Sequence, residues 1–158
     1  SDVYENVIFM SRNQSLSFDD MLFTCLNPVK NSGGLDGAND YSLVFKMTYK
    51  EFDMLFTGDI SERIEKELVN ISDCDVLKVA HHGSKNSSSE EFLNIVSPKI
   101  AVISAGQRNT YGHPHLETIE RLKECGAGIL CTKDTGAIII STDGHETRVG
   151  VKKRQSLF

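Results

Sequence analysis

Tryptophan is absent from this chain of 158 residues, and proline occurs only three times. The longest apolar runs, at residues 7–10 and 137–140, are far shorter than the ~20 residues that span a bilayer. No basic region followed by an apolar stretch opens the sequence, so a secretory signal is not expected. The hydrophobic share of 39% and the charged share of 25% are typical of a globular protein, and we expect one domain over residues 1–158.

A basic surface is also lacking, because the formal net charge is −5. This excludes a nonspecific nucleic-acid binder that relies on a broad positive face. It does not exclude a nuclease, since bound divalent cations would offset acidic ligands. The cluster Lys152, Lys153 and Arg154 is expected to be a solvated tail and not a phosphate contact.

Several catalytic and metal-binding signatures are missing. The four cysteines are far apart and form no CxxC pair, which excludes zinc-finger spacing. Cys25 and Cys131 lie in strand-like runs, so we expect buried free thiols. The G-x-S-x-G elbow, the P-loop, a G-x-G-x-x-G after a strand and H-E-x-x-H are all absent.

What is present is an alternation of strand and helix patterns. Alternating or continuous apolar runs predict strands at 21–26, 41–49, 52–57, 75–80, 99–104, 128–132, 136–142 and 146–151. Helical spacing predicts helices at 60–71, from a Ser88–Glu91 capping box to Val96, and from Pro114 to near Gly126. Polar loops are expected at 31–40, 84–89 and 105–113. This pattern predicts a layered α/β domain with a mixed sheet.

Two predicted strands end at groups that bind metals. Asp59 follows the strand at 52–57, and its two oxygens could bridge two divalent cations. Alternatively, Asp59 caps the helix that follows, with Glu62 completing a capping box. His81 and His82 end the strand at 75–80, and neighbouring side chains of an extended chain point in opposite directions. One imidazole could therefore bind a metal while the other orients it or contacts substrate.

A third polar segment precedes the helix at Pro114. Since ligands bind at the carboxyl ends of strands in open α/β sheets, His113 could be a metal ligand, a proton donor or a phosphate contact. His115 is expected to cap the helix, and Tyr111 either donates a hydrogen bond to substrate or packs. The serines at 84 and 87–89 could bind an oxyanion, but a solvated loop is favoured, and His145 is expected at the surface.

Five segments in this order resemble the metallo-β-lactamase-like domain of the ComEC/Rec2 competence family. They are 39–44 (NDYSLV), 55–60 (LFTGDI), 75–84 (DVLKVAHHGS), 97–104 (SPKIAVIS) and 109–115 (NTYGHPH). The resemblance covers about residues 21–142 and implies an αββα sandwich with a metal site at one edge. It implies metal-ligand roles for Asp59 and His82, with zinc or manganese as the cation. It also implies catalytic roles for His81, beside His82, and for His113, which would contact a substrate phosphate.

The family's first metal motif, H-x-(H/D)-x-D-H, has no counterpart here, because the first histidine of the chain is His81. We therefore expect the C-terminal portion of a longer domain, inactive by itself. Its expected partners are DNA or another phosphoester substrate and the missing N-terminal half of the domain. A homodimer through the exposed sheet surface is the alternative partner.

The resemblance implies a metal-dependent phosphodiesterase-type hydrolase that processes DNA during competence-related uptake, on an extracytoplasmic domain of a membrane protein. One alternative is a stand-alone hydrolase of small phosphoesters, similar to a choline-phosphate esterase. The other is a catalytically inactive accessory domain.

Overall fold

Seven strands form one mixed sheet whose spatial order is the order of the chain. The structure is a computed structural model that describes residues 7–30 and 37–152. Strands β1 to β4 are antiparallel neighbours, whereas β4 to β7 run parallel. The strands are β1 (Ser15–Phe18), β2 (Met21–Asn27), β3 (Val44–Tyr49), β4 (Phe52–Phe56), β5 (Val76–Lys78), β6 (Ile100–Ile103) and β7 (Gly128–Cys131).

Helices connect the parallel strands, as expected for crossover connections. They are α1 (Glu62–Glu67), α2 (Glu90–Val96) and α3 (Leu116–Glu124), while the single turn α4 (Thr132–Thr135) follows β7. Short 3₁₀ turns occupy Ala38–Tyr41 and Ala80–Gly83. A separate antiparallel hairpin consists of β8 (Ala137–Thr142) and β9 (Thr147–Lys152). The mixed α/β sheet predicted from the sequence is therefore confirmed, although β1 was not predicted.

The main core lies between the helices and one face of the sheet. Ile64 of α1, Phe92 of α2 and Leu122 of α3 are buried there against strand residues such as Leu55 and Leu77. At roughly 1.5–3 kcal/mol for each large apolar side chain, this burial is the main stabilisation of the layer. It holds the loops that follow β4, β5 and β6 at one edge of the sheet.

The opposite face of the sheet packs against the hairpin. Phe52, Val76 and Val102 are buried there, with Ile138 and Ile140 of β8 packed onto them. Helices, sheet and hairpin thus form three successive layers. The turn between the hairpin strands is built on Asp143, because its Oδ1 accepts the N–H groups of residues 145 and 146 at 2.9 Å.

The predicted free thiols are confirmed: Cys25 and Cys131 are buried and unbonded to other cysteines. Burial raises the pKa of both thiols, which makes them unreactive at neutral pH. Lys152 is exposed at the end of β9, while Lys153 and Arg154 of the predicted tail lie outside the described residues. The same holds for residues 31–36 of the predicted loop at 31–40.

Candidate active site

The loops that leave β4, β5 and β6 meet at one edge of the sheet. His82 Nε2 lies 3.8 Å from Asp59 Oδ1. The ring of His113 is centred 5.6 Å from that of His81 and 6.3 Å from that of His82. The four predicted site residues therefore share one place in the fold, because parallel neighbouring strands end at the same edge. Their catalytic and metal-binding roles stay predictions.

Asp59 is placed by the backbone around it. The hydroxyl of Thr57 donates to the carbonyl of Lys78, which ties the end of β4 to the end of β5. Gly58 has a left-handed φ of +54°, and a Cβ there would lie 2.7 Å from the Cβ of Ser42. The N–H of Asp59 donates to Ser42 Oγ at 3.1 Å. The alternative that Asp59 caps α1 is wrong, since the N-cap position belongs to Ser61.

His81 and His82 do not continue β5 as an extended strand. Both adopt left-handed conformations, with φ of 47° and 56°, and the N–H of His81 donates to the carbonyl of Gly58 at 3.0 Å. The expectation that their side chains point in opposite directions from an extended chain is therefore wrong. Two consecutive left-handed residues fold the chain back, so both rings come within 6.3 Å of the ring of His113.

The ring of His82 has a defined tautomer. Its Nδ1 lies 2.7 Å from the carbonyl oxygen of Ser104. A backbone carbonyl only accepts, so Nδ1 carries the proton and donates it. In the neutral imidazole, Nε2 then presents a lone pair toward Asp59, and the pair is half exposed. At 3.8 Å the two atoms are too far apart for a hydrogen bond.

His113 is buried and held through its backbone. Its N–H donates to Asn109 Oδ1 at 2.7 Å, and its carbonyl accepts from Asn109 Nδ2 at 2.8 Å. Burial lowers the pKa of the imidazole, and the neighbouring His115, His81 and His82 lower it further. His113 is therefore neutral at physiological pH and can donate or accept one hydrogen bond.

His115 stands at the N-cap of α3, but its side chain makes no capping hydrogen bond. Instead its Nδ1 accepts the N–H of Lys85 at 3.1 Å. The predicted cap role is thus correct in position and wrong in mechanism. Gly83 also contacts this segment closely: its carbonyl accepts the N–H of His115, and a Cβ on Gly83 would lie 2.6 Å from Pro114 Cβ.

The loop at 84–89 is not the solvated loop that was favoured, since Ser84, Ser87 and Ser88 are buried. The carboxylate of Glu65 on α1 accepts the N–H groups of Ser88 and Ser89. Burial raises the pKa of Glu65, and these two hydrogen bonds oppose the rise. Ser89, one residue beyond the predicted position, caps α2 by accepting the N–H of Phe92.

Sequence reasoning did not assign roles to the residues that hold the site from behind. Ser42, Asn109 and the Ser104 carbonyl act through backbone hydrogen bonds, which have no local signature except the four-residue spacing from Asn109 to His113. Lys78 was also missed. It is largely buried beside Asp59: burial lowers the pKa of its ammonium group, and the Asp59 carboxylate opposes this. His145 is exposed in the hairpin turn, as expected.

Residues 14–107, more than half of the chain, match the Metallo-beta-lactamase superfamily. This chain belongs to the metallo-β-lactamase superfamily. Among solved structures, a metallo-hydrolase fold is similar: a chain from Parabacteroides distasonis named as a metal-dependent hydrolase aligns with a TM-score of 0.51 at 15% identity. The alignment covers 78% of this chain and 56% of that one, and it shows that the two chains share a fold.

Three characterised relatives are similar over most of this metallo-β-lactamase domain. ComE operon protein 3 of Bacillus subtilis is 36% identical over 82% of the chain, and Recombination protein 2 of Haemophilus influenzae is 34% identical over 76%. Competence protein ComA of Neisseria gonorrhoeae is 35% identical over 79%. The chain spans only 17%, 15% and 18% of these relatives, respectively. The resemblance to the competence family is therefore confirmed.

The next feature is the set of side chains that could bind a divalent metal in this metallo-β-lactamase domain. Asp59 and His82 present a carboxylate and an imidazole, which are donors that zinc and manganese accept. Within residues 7–30 and 37–152, however, no three His, Cys, Asp or Glu side chains converge closely enough to hold one ion. The described residues therefore fit part of a divalent metal site. Among the helices described, none has both the length and the apolar character needed to cross a bilayer.

Proposed function

We propose that this domain belongs to a metal-dependent phosphodiesterase-type hydrolase that processes DNA in competence-related uptake. The activity would belong to the longer protein, in which further metal ligands come from outside the described residues. The superfamily and the names of the competence relatives support this assignment. The proposal includes an extracytoplasmic location.

The observation on which the proposal depends is the facing pair of acceptors. Because Nδ1–H of His82 donates its hydrogen bond to the Ser104 carbonyl, a neutral ring can offer Asp59 only the lone pair of Nε2. A carboxylate oxygen and the lone pair of a neutral ring, 3.8 Å apart, are both acceptors, and a divalent cation between them would bind both. Ligand bonds of about 2.0–2.2 Å fit two donors at that separation. Asp59 and His82 would therefore share one divalent ion.

The chain's own side chains have separate roles in this scheme. Asp59 and His82 hold the cation, which supplies Lewis-acid chemistry at the phosphodiester when bound. His113 is neutral and fixed by Asn109, so it donates a hydrogen bond to a non-bridging phosphate oxygen without adding charge. The ring of His81, centred 5.6 Å from that of His113, is near enough to contact the same phosphate group.

The test uses the longer protein and this chain, each as wild type and as Asp59→Asn, His82→Ala and His145→Ala. His145→Ala is the matched control, because that imidazole is exposed in the hairpin turn. Metal content is measured by plasma mass spectrometry, and turnover with bis(p-nitrophenyl) phosphate. In the longer protein, we expect both site variants to lose metal and at least about a hundredfold in turnover, while the control keeps both. Wild-type metal content and turnover in both site variants would refute the assignment.

A catalytically inactive accessory domain is the second candidate, favoured by the absence of a three-donor metal group among the described residues. It requires that the longer protein also binds no metal and cleaves no phosphodiester. The small-phosphoester alternative is separated by substrate. A choline-phosphate esterase-like hydrolase would turn over p-nitrophenyl phosphorylcholine faster than an oligonucleotide.

We further propose that the N-terminal half of the domain covers the hairpin-side face of the sheet in the longer protein. On that face Leu16 and Phe18 of β1 are exposed, and Phe23 of β2 separates them from the stacked rings of Phe45 and Phe56. Sedimentation of this chain tests the alternative of a homodimer. If this chain is a dimer and Phe18→Glu dissociates it, the homodimer would be supported, and cover by the N-terminal half would not.

A further inference from the structure

Tyr111 presents an exposed aromatic ring directly beside the imidazoles. The residue is 77% exposed on the loop between β6 and α3. Its ring is centred 5.7 Å from that of His113, with only 20° between the planes. Stacking on His113 uses one side of the ring, and the remaining surface faces solvent. A flat, amphipathic ring in this position is a platform on which another ring can stack.

Three rings form a row that leads from solvent into the site. After Tyr111 and His113, the ring of His82 follows at 6.3 Å from His113, with 27° between the planes. Both separations lie in the range of offset stacking. A planar group stacked on the outer side of Tyr111 would therefore continue the row that ends at Asp59. It would sit beside the phosphate site and not in it.

The same loop borders a groove made of two neighbouring cavities. A cavity of about 470 Å³ has His82, Tyr111 and His113 on its walls. A second cavity of about 350 Å³ shares Ala105, Gly106 and Thr132 with it and extends to Gly136. The two form one groove that starts at the imidazoles and runs past the end of β7.

The groove is held in shape before any ligand arrives. Thr132 Oγ1 accepts the N–H of Ala105 and also lies 3.0 Å from its carbonyl oxygen, to which it donates. Asn109 Nδ2 donates to the carbonyl of Gly106 at 2.7 Å in addition to its bond to His113. A preformed wall lowers the entropic cost of ordering a flexible polymer strand. Arg108 is exposed on the same loop and offers a positive charge to a backbone phosphate.

We propose that Tyr111 stacks on a base of single-stranded DNA whose neighbouring phosphodiester reaches Asp59 and His82. The inference rests on the proposed function and names its substrate as an unpaired polynucleotide strand. Inside a duplex both faces of each base are covered by stacked neighbours, so Tyr111 finds a free face only at an unpaired or terminal base. Stacking tolerates any base sequence, because every base has a π face.

The first test is binding without turnover. A fluorescein-labelled oligothymidylate is titrated with this chain in EDTA, and fluorescence anisotropy reports the affinity. The proteins are wild type, Tyr111→Ala, Tyr111→Phe and Phe18→Ala. Phe18 is the matched control, because it is an exposed aromatic residue at the opposite edge of the sheet. We expect Tyr111→Ala to weaken binding about tenfold, which equals about 1.4 kcal/mol, while the other two match wild type.

Three outcomes of the titration would overturn the inference. One is wild-type affinity in Tyr111→Ala, and another is a wild type that does not bind the oligonucleotide. The third is a loss in Tyr111→Phe equal to that in Tyr111→Ala, since this would assign the contact to the hydroxyl group. A covalently closed circular duplex, which has no terminal base pair, is expected to show no difference between wild type and Tyr111→Ala.

The second test separates stacking from a role in positioning His113. In the longer protein, Tyr111→Ala should lower kcat/KM about tenfold on the oligonucleotide and by a clearly smaller factor on bis(p-nitrophenyl) phosphate. An equal loss on both substrates would make Tyr111 a support for His113 and would overturn the inference. If the losses are equal but the wild type turns over the small diester, the proposed function still holds. If the wild type turns over neither substrate, the proposed function itself is refuted.

Discussion

The left-handed backbone at His81 and His82 should reverse the usual stability order of alanine and glycine. With φ of 47° and 56°, each residue places its Cβ near the following carbonyl oxygen. This costs roughly 1–2 kcal/mol for any residue other than glycine. Two such residues in succession destabilise the folded state, and favourable contacts elsewhere in the fold must compensate for that cost. Replacing them by glycine should remove it.

The magnitude follows from comparing two variants of one position. His82→Ala and His82→Gly both lose the ring, its hydrogen bond to Ser104 and its contact with Asp59, so those losses cancel. Glycine then gains about 1–2 kcal/mol from relief of the left-handed backbone. It loses about 0.4–1 kcal/mol through its freer unfolded chain. From the midpoints of these two ranges, we expect His82→Gly to exceed His82→Ala by about 0.8 kcal/mol in free energy of unfolding, or about 2–3 °C in Tm.

The assay is urea and thermal unfolding followed by circular dichroism. The matched control is Glu120, which is exposed within α3. There the order should be the ordinary one, with Glu120→Ala more stable than Glu120→Gly by about 1 kcal/mol. If alanine equals or exceeds glycine at position 82 as well, the left-handed turn does not exist in solution. The reasoning about how both rings reach His113 would then be wrong.

Three further perturbations follow from the contacts around the site. Gly83→Ala should cost about 2–5 kcal/mol, since it adds a Cβ 2.6 Å from Pro114 Cβ to a left-handed backbone, whereas Gly112→Ala has open space and should cost only about 1–2 kcal/mol. Equal losses in urea unfolding would contradict the close approach. Burial raises the pKa of Glu65, so the stability of wild type relative to Glu65→Gln should be greatest below the ordinary carboxyl pKa and fall as pH rises through the raised value. A difference that grows with pH would have the wrong sign. Asn109→Ala removes three hydrogen bonds within its loop and should lower unfolding free energy by about 1–3 kcal/mol. Hydrogen exchange at residues 105–113 should rise with it, and unchanged exchange would refute that role for the amide.

The apolar pattern predicted burial better than it predicted helix length. Ile60, Ile64 and Leu68 have helical spacing, and all three are buried in the main core. The helix itself covers only Glu62–Glu67, because Leu68 turns to an extended conformation with ψ of 133°. Asn70 follows with a left-handed φ of 58°. Periodicity records which side chains face the core, and a core can accept them from a turn as well as from a helix.

The strand ends were the part of the site that sequence reasoning could predict. Asp59, His81 and His113 follow neighbouring parallel strands, and that topology alone brings their loops together. The turn at 81–82 could not be predicted, because a period of two assumes an extended chain. Nor could the hydrogen bonds from Asn109 to the His113 backbone, since their geometry depends on how the whole loop folds.

The matching order of strands in space and in sequence has a consequence for synthesis. Asp59 and all the imidazoles of the site precede residue 116, and each parallel strand pairs with the one made just before it. A nascent chain emerging from the ribosome thus meets every docking partner already translated. Of the described elements, the hairpin of β8 and β9 is synthesised last, and it packs on the face of the sheet opposite the helices.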